Sequence, residues 1–366
     1  GMTISSASEQ AFFEGNRGRP LLAIRADANL GIGTGHVMRC VALAQAWQDA
    51  GGCAAFICAE MSAGLEQRLN VEGISVYPVA ASAGSLDDAQ ETAEVVAKLK
   101  ADWLAIDGFQ FGQNFIDKLQ AAAPILLIDD HHPRERYDTD VVLNPNIFAT
   151  AEMYSARCRG AVLAGPAYAL LRREFRVHGR KPPARPSRPT RLLVTMGGSD
   201  PDNVSLRILK ALNEARLDQL EVTLLCGAAN PHMHSLQRAA RESKHPVKVV
   251  VDVTDMACFL QCIDVAISAP GGTCLELACL GVPMLLIVIA ENHERTAEEF
   301  AARGLALSAG WHGKFNEKEL ALHIQEFVNN PERNQRMAKN AASLIDGRGA
   351  GRVISAMLQR KMATGV

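Results

Sequence analysis

The chain has 366 residues, 48% of them apolar and 21% charged, with a formal net charge of −2. That length predicts two domains, each able to bury its own core, and the near-neutral balance removes the electrostatic term that nucleic-acid or anionic-membrane binding needs. No apolar stretch is long enough to span a membrane and residues 1–20 lack the basic start and apolar block of a secretion signal, so a cytoplasmic protein without membrane insertion is expected. Gly1 ahead of Met2 reads as a remnant of an expression tag and is set aside.

Short apolar runs alternate with helical patterns from the start. LLAIRAD leads into a turn containing Gly31, Gly33 and Gly35, followed by His36 and an apolar helix from Val37 to Trp47. Glycines there let the backbone come close to a ligand, and a helix start points its free N–H groups at the loop. Negative charge is favoured at such an end, so His36 reads as a candidate base beside a phosphorylated ligand, although glycine-rich strand-to-helix turns also arise from packing alone. The turn lacks the third glycine of a dinucleotide fingerprint and the Gly-Lys-Ser/Thr of a P-loop; Glu60, after AAFIC, stands alone as an acidic candidate.

AAFICAE, GISVYPV, a helix from Leu86 to Lys100, WLAIDG, a helix to Ala122, ILLIDD, VVLNPN and AVLAG follow, and Leu170, Leu171 and Phe175 close a helix. Strands alternating with helices predict a parallel sheet wrapped on both faces. The stretch HGRKPPARPSRPTR is too rich in proline to continue a helix or a central strand and reads as a solvated linker rather than a nucleic-acid tail.

The pattern then restarts with RLLVTMGGSD, EVTLLCG, VKVVVDV, DVAISAPGGT and PMLLIVIA separated by helices. The expected organisation is a Rossmann-like domain over 20–177, a linker over 178–190, a second Rossmann-like domain over 191–345, and a C-terminal helix over 346–366 that packs back on the first domain. Ligands of doubly wound sheets bind beyond the carboxyl ends of strands, which makes an interdomain cleft the expected site. Nine cysteines, among them Cys53, Cys58, Cys226, Cys258, Cys262 and Cys274, lie mostly in apolar elements and read as free buried thiols. Neither they nor His131 and His132 form a compact four-ligand set, so neither a metal nor another cofactor is predicted.

In the second half, a strand ends in Ser268, Ala269, Pro270, Gly271 and Gly272, and Thr273 begins a helix with Glu276 on its first turn. Amides at Gly272 and Thr273 with the Thr273 hydroxyl can hold a diphosphate, while Glu276 can accept from both hydroxyls of a ribose. A capping box made by Thr273 and Glu276 describes the same residues. A second glycine pair at a strand end, Gly197 and Gly198 followed by Ser199, is a further candidate for phosphate or substrate contact.

This two-part plan, with GTGH near the start and SAPGGTCLELACLGVP near the end, resembles the nucleotide-sugar enzymes of the GT-B fold, in particular the branch with the muramyl-lipid N-acetylglucosaminyltransferase. Four segments, IRADANLGIGTGHVMRC, LIDDHHPRERYDTDVVLNPN, GPAYALLRREF and VTMGGSDPDN, are similar to the UDP-sugar hydrolase of pseudaminic acid biosynthesis and its spore-coat polysaccharide relatives. The resemblance implies hydrolysis of a UDP-linked 2,4-diacetamido-2,4,6-trideoxy hexose to UDP and free sugar. His36 then matches the base that deprotonates water, Glu276 the ribose ligand, and Gly271, Gly272 and Thr273 the diphosphate turn. Met256 matches a residue that contacts uracil through its backbone, and Asn292 the first of an Asn-Gln pair near the sugar or phosphate.

Two residues depart from the family pattern: Phe109 stands where a tyrosine is common, and His293 replaces the glutamine after Asn292. Both bear on which sugar is accepted. Asp27 and Asp107, at the ends of their strands, divide between substrate contact and a structural role, as do Asp129, Asp130 and His131. Tyr168, with Leu170 and Leu171, reads as packing. A GT-B transferase using a UDP-sugar donor is the alternative enzyme and a non-catalytic sugar-nucleotide sensor the alternative class; no oligomeric partner is assigned.

Overall fold

The computed structural model describes residues 6–28, 35–130, 134–178 and 186–364, with the side chains of 177–178 and 361–364 left aside. The chain divides into two compact units, one formed by Gly1–Arg173 with Arg348–Val366 and the other by Glu174–Gly347.

The first unit runs α1 (Ser6–Gly15), β1 (Leu21–Ala26), α2 (Gly35–Asp49), β2 (Cys53–Cys58), α3 (Ala63–Val71), β3 (Ser75–Pro78), α4 (Leu86–Leu99), β4 (Trp103–Asp107), α5 (Gln113–Leu119), β5 (Ile125–Ile128), β6 (Val141–Asn144) and β7 (Ala161–Ala164). Its sheet has the order β3-β2-β1-β4-β5-β6-β7 and every pairing is parallel. Both faces are covered, so β1 is buried at all six positions. Leu22, Ile24 and Ala26 pack in one core with α2, while Leu21 and Ala23 pack on the opposite face with Phe111 and Phe115. The last helix of the chain, which is α14 below, adds Ala350, Val353, Ile354 and Met357 to the α2 core.

The second unit runs α6 (Arg173–His178), β8 (Arg191–Thr195), α7 (Val204–Glu214), β9 (Glu221–Cys226), α8 (Met233–Glu242), β10 (Val247–Val251), α9 (Met256–Gln261), β11 (Val265–Ser268), α10 (Gly272–Cys279), β12 (Met284–Val288), α11 (Glu294–Ala302), β13 (Leu307–Trp311), α12 (Glu317–Val328) and α13 (Pro331–Leu344); α14 (Gly349–Thr364) returns to the first unit. The sheet order β10-β9-β8-β11-β12-β13 repeats the plan of the first, again wholly parallel. In each unit the first strand of the sheet lies between neighbours whose connections leave in opposite directions, at β1/β4 and at β8/β11. Doubly wound sheets as a class bind their ligands beyond the strand ends at such a point.

Two expectations need correction, and one strand was not foreseen. Leu170 and Leu171 are buried ahead of α6 rather than inside a helix, because Gly165 and Pro166 set up a short 3-10 turn that ends at Tyr168. Cys258 and Cys262 are exposed: α9 is a single short turn that buries only Ala257 and Leu260, and the two thiols lie on its other face. β13 carries no strong apolar run, with all five residues only partly buried, and so escaped notice in the sequence.

Candidate active site

In the first unit the start of α2, which follows β1, brings His36 to Asp107 at the end of the neighbouring β4. Gly35 and His36 open α2, while Gly33 and the glycine turn before it lie outside the described residues. Asp107 ends β4 with a side chain that has no exposed surface, and its Oδ1 lies 2.7 Å from His36 Nδ1. One turn further along α2, on the same face, come Arg39 and Cys40. Arg39 donates Nε to Asp107 Oδ2 at 2.7 Å and one terminal nitrogen to Asp107 Oδ1 at 2.6 Å. It also donates to both oxygens of Asp130 at 2.8 Å, and the Cys40 thiol lies 3.4 Å from Asp107 Oδ2.

Burial alone would push the Asp107 carboxyl up, but the Arg39 guanidinium and then His36 overcome it and hold it below the usual carboxylate range. Asp130 is held low in the same way, by Arg39 and by a hydrogen bond from Asn146. The Cys40 thiol is driven well up by burial and by Asp107, so it stays protonated and can donate. An ionised Asp107 accepts only, so the imidazole donates to it from Nδ1, and in the neutral ring that tautomer carries its lone pair on Nε2. His36 keeps 21% of its side-chain surface exposed, enough for that nitrogen to meet a ligand or water. His36, Asp107 and Asp130 offer ligand atoms within 4.8 Å of one another, the spacing of a metal cluster, yet all four carboxylate oxygens already accept from Arg39.

The polar chain continues inward. Asn146 donates to Asp130 and to Asn144 at 2.8 and 2.7 Å, Asn144 donates to the Tyr154 hydroxyl at 2.8 Å, and that hydroxyl donates to Asp129 at 2.5 Å. Asp129 and Asp130 are thus both hydrogen-bonded within the unit, and His131 lies outside the described residues. Asp27 is likewise enclosed, with no exposed side-chain surface. It accepts from Arg25 at 2.8 Å and from the amides of Ala59 and Glu60 at 2.7 and 3.1 Å, tying β1 to the end of β2. Arg25 is fully buried, bonds Asp88 through two nitrogens at 3.0 and 2.6 Å and lies over the Phe111 ring. The side chains of Asp27 and Asp107 are thus both enclosed by the groups they hold. Phe109 is 62% exposed and, with Phe111 and Arg134, lines a cavity of about 430 Å³ beyond the end of β4.

The second unit presents two glycine pairs side by side at β8 and β11. Gly197, with φ of 83°, and Gly198 are exposed, and Ser199 is half-buried. A Cβ on Gly227 would lie 2.1 Å from the Gly198 carbonyl oxygen, so that close approach requires glycine at the end of β9. Asp200, 2% exposed, turns back to accept from the amides of Val204 and Ser205 at 2.9 Å each. The N-terminus of α7 is consequently already answered by a carboxylate. At α10 the arrangement differs: the helix starts at Gly272, its N-cap is Gly271, and no side chain caps it. Thr273 lies inside the helix, so the Thr273–Glu276 capping box does not form, and Glu276 opens the second turn, four residues after Gly272 and on its face.

Met256 opens α9 behind an Asp255 cap whose side chain accepts from the Cys258 amide at 3.0 Å. Asn292 is exposed in the short turn that follows β12, and the neighbouring His293 ring stands 3.7 Å from where a Cβ on Gly271 would be. Asn292 and His293 thus share a strand-end region with the open helix start. Sequence reasoning missed Arg39, Asp88 and the cap by Asp200. The spacing i, i+3, i+4 from His36 was the available signal for Arg39 and Cys40, and Asp200 four residues ahead of Val204 the signal for the cap.

Two doubly wound units of one plan give the chain the GT-B fold, the fold of the solved glycosyltransferases it is similar to. The MurG crystal structure from Acinetobacter baumannii superposes with a TM-score of 0.65 over 93% of this chain and 99% of that one, at 16% identity. Residues 191–351 match the Glycosyltransferase family 28 C-terminal domain. Spore coat polysaccharide biosynthesis protein SpsG of Bacillus subtilis is 26% identical over 66% of this chain and 71% of its own length. UDP-2,4-diacetamido-2,4,6-trideoxy-beta-L-altropyranose hydrolase of Campylobacter jejuni is 25% identical over 76% of this chain and 96% of its own. Among the described residues no helix is long and apolar enough to cross a membrane.

Proposed function

We propose that this chain hydrolyses a UDP-linked 2,4-diacetamido-2,4,6-trideoxy hexose, releasing UDP and the free sugar for nonulosonic acid or surface-polysaccharide synthesis. The observation that carries the reading is the His36–Asp107 pair, with Asp107 held ionised and His36 Nε2 left to act. In the reaction His36 takes a proton from water as the water oxygen bonds the anomeric carbon. The bond from that carbon to the β-phosphate oxygen breaks, and its electron pair leaves with UDP. Attack opposite the leaving group inverts the anomeric centre.

A base of this kind is worth roughly 10²- to 10⁴-fold, and the remainder falls to stabilising the departing charge. The open start of α10 suits that task, with the amides of Gly272 and Thr273 for the diphosphate and Glu276 for the ribose. Met256 would meet uracil through its backbone, and Asn292 the sugar or a phosphate. Gly35 would line the approach to His36, the same expectation for Gly33 falls outside the described residues, and Gly197, Gly198 and Ser199 would meet the substrate at the end of β8. The likeness to the Campylobacter jejuni hydrolase supports this choice of substrate.

Transfer to an acceptor is the second reading, favoured by the family 28 domain match. The test is UDP release from a panel of UDP-diacetamido-sugars without acceptor, for wild type and His36→Ala, beside UDP binding by calorimetry. Release by wild type alone, with binding kept in the variant, is the expected result; binding without release by either protein would favour transfer.

A further inference from the structure

The cluster around His36 has the outline of a metal centre with a guanidinium at its middle. Arg39 sits on α2 one turn after His36 and makes four charge-assisted bonds of 2.6–2.8 Å, two to Asp107 and two to Asp130. One of the oxygens it holds, Asp107 Oδ1, is also the one that meets His36 Nδ1. Two carboxylates this close repel, and without a cation one of them would take a proton. A planar fork can satisfy two carboxylates at once and fix the direction of each; a lysine ammonium, a compact charge on a flexible stem, cannot.

We propose that Arg39 is the fixed cation of the site, a positioning residue that clamps Asp107 against Asp130 and so keeps the proton of His36 on Nδ1 and its Nε2 facing the reacting water. The inference rests on His36 acting as the base. Its role is geometric, so removing the guanidinium lowers kcat rather than raising KM, and a free guanidinium ion restores what the side chain supplied. Arg39 differs in this from Arg25, whose bonds to Asp27 and Asp88 are fully enclosed and stitch strands and helix together.

Arg39→Ala and Arg39→Lys would be compared with wild type and with His36→Ala. The readouts are the imidazole tautomer from long-range ¹H–¹⁵N correlation, with the His36 signal identified by its loss in His36→Ala, UDP affinity, and kcat and KM. Expected are a kcat loss of about 100-fold in Arg39→Ala, within the range a general base is worth, UDP affinity within threefold of wild type, and loss of the Nδ1–H signal. Millimolar guanidinium should return the signal and at least tenfold of the rate, and lysine should not substitute.

An unchanged Nδ1–H signal in Arg39→Ala overturns the proposal whatever the activity does. A rate loss that guanidinium does not repair, in a protein with unaltered UDP affinity, also overturns it. If Arg39→Ala does not fold, Arg39→Lys carries the same tautomer test, and a wild-type signal there is equally fatal. Full turnover by His36→Ala would instead sink the base assignment, while the tautomer readout still decides the role of Arg39.

Discussion

Helices α7 and α10 follow glycine pairs at adjacent strands of one sheet, yet their first turns are built for different ends. Asp200 folds back on α7 and accepts from Val204 and Ser205, which stabilises the helix and occupies the place an anion would take. α10 begins with two glycines and no side-chain cap, so its first amides and its dipole are left for an outside acceptor. Two helix starts that look alike in sequence are thus separated by one carboxylate. The helix behind the loop with a left-handed glycine, Gly197, is the one capped from within; the uncapped one at Gly271 is the one proposed for the diphosphate.

The contrast can be broken by giving α10 the cap that α7 has. A Cβ at Gly271 meets nothing nearer than the His293 ring at 3.7 Å, and its φ of −96° suits any residue. Gly271→Asp should therefore fold, with α10 stabilised by about 1 kcal/mol in a urea titration, while UDP affinity falls on the order of 100-fold by calorimetry as two charge-assisted bonds are lost and a like charge is added. Sharpening comes from Glu276→Gln, which should weaken UDP by about tenfold and abolish any preference for UDP over its 2′-deoxy form, consistent with the loss of one charged hydrogen bond. The reverse change, Asp200→Ala, should cost about 1–2 kcal/mol of stability and leave UDP affinity within threefold.

The smallest effect concerns acid. Asp107 and Asp130 are both held below the ordinary aspartate value, so they bind fewer protons folded than unfolded in that range. Their contribution to stability is complete above about pH 5 and is lost as pH falls through and below about 3.9. Chemical denaturation of wild type and Arg39→Ala at pH 7, 4 and 3 checks this: the gap between them should narrow as pH drops.

Much of the architecture was legible because it depends on pattern. Continuous apolar strands such as LLAIRA and CAAFIC, each followed by helical spacing, dictate a parallel sheet covered on both faces. β13 was not, since LSAGW is half-buried and lacks that signal. Candidate positions for chemistry were read at strand ends and the helix starts beyond them, which fixed attention on His36, Asp107 and Gly271–Gly272. Partners were not legible, because Arg39 reaching Asp130 is a contact across 91 positions and Arg25 reaching Asp88 one across 63. Nor does a sequence say whether Asp27 faces ligand or amides; only the end of β2, delivering Ala59 and Glu60, decides that.

In the proposed hydrolysis water attacks carbon rather than phosphorus, and no acceptor is needed. Turnover of a UDP-diacetamido-sugar in ¹⁸O-water, with UDP analysed by mass spectrometry, tests it most directly. The prediction is UDP free of label, released by wild type and not by His36→Ala; label in the released UDP, or release only when an acceptor is added, would contradict it.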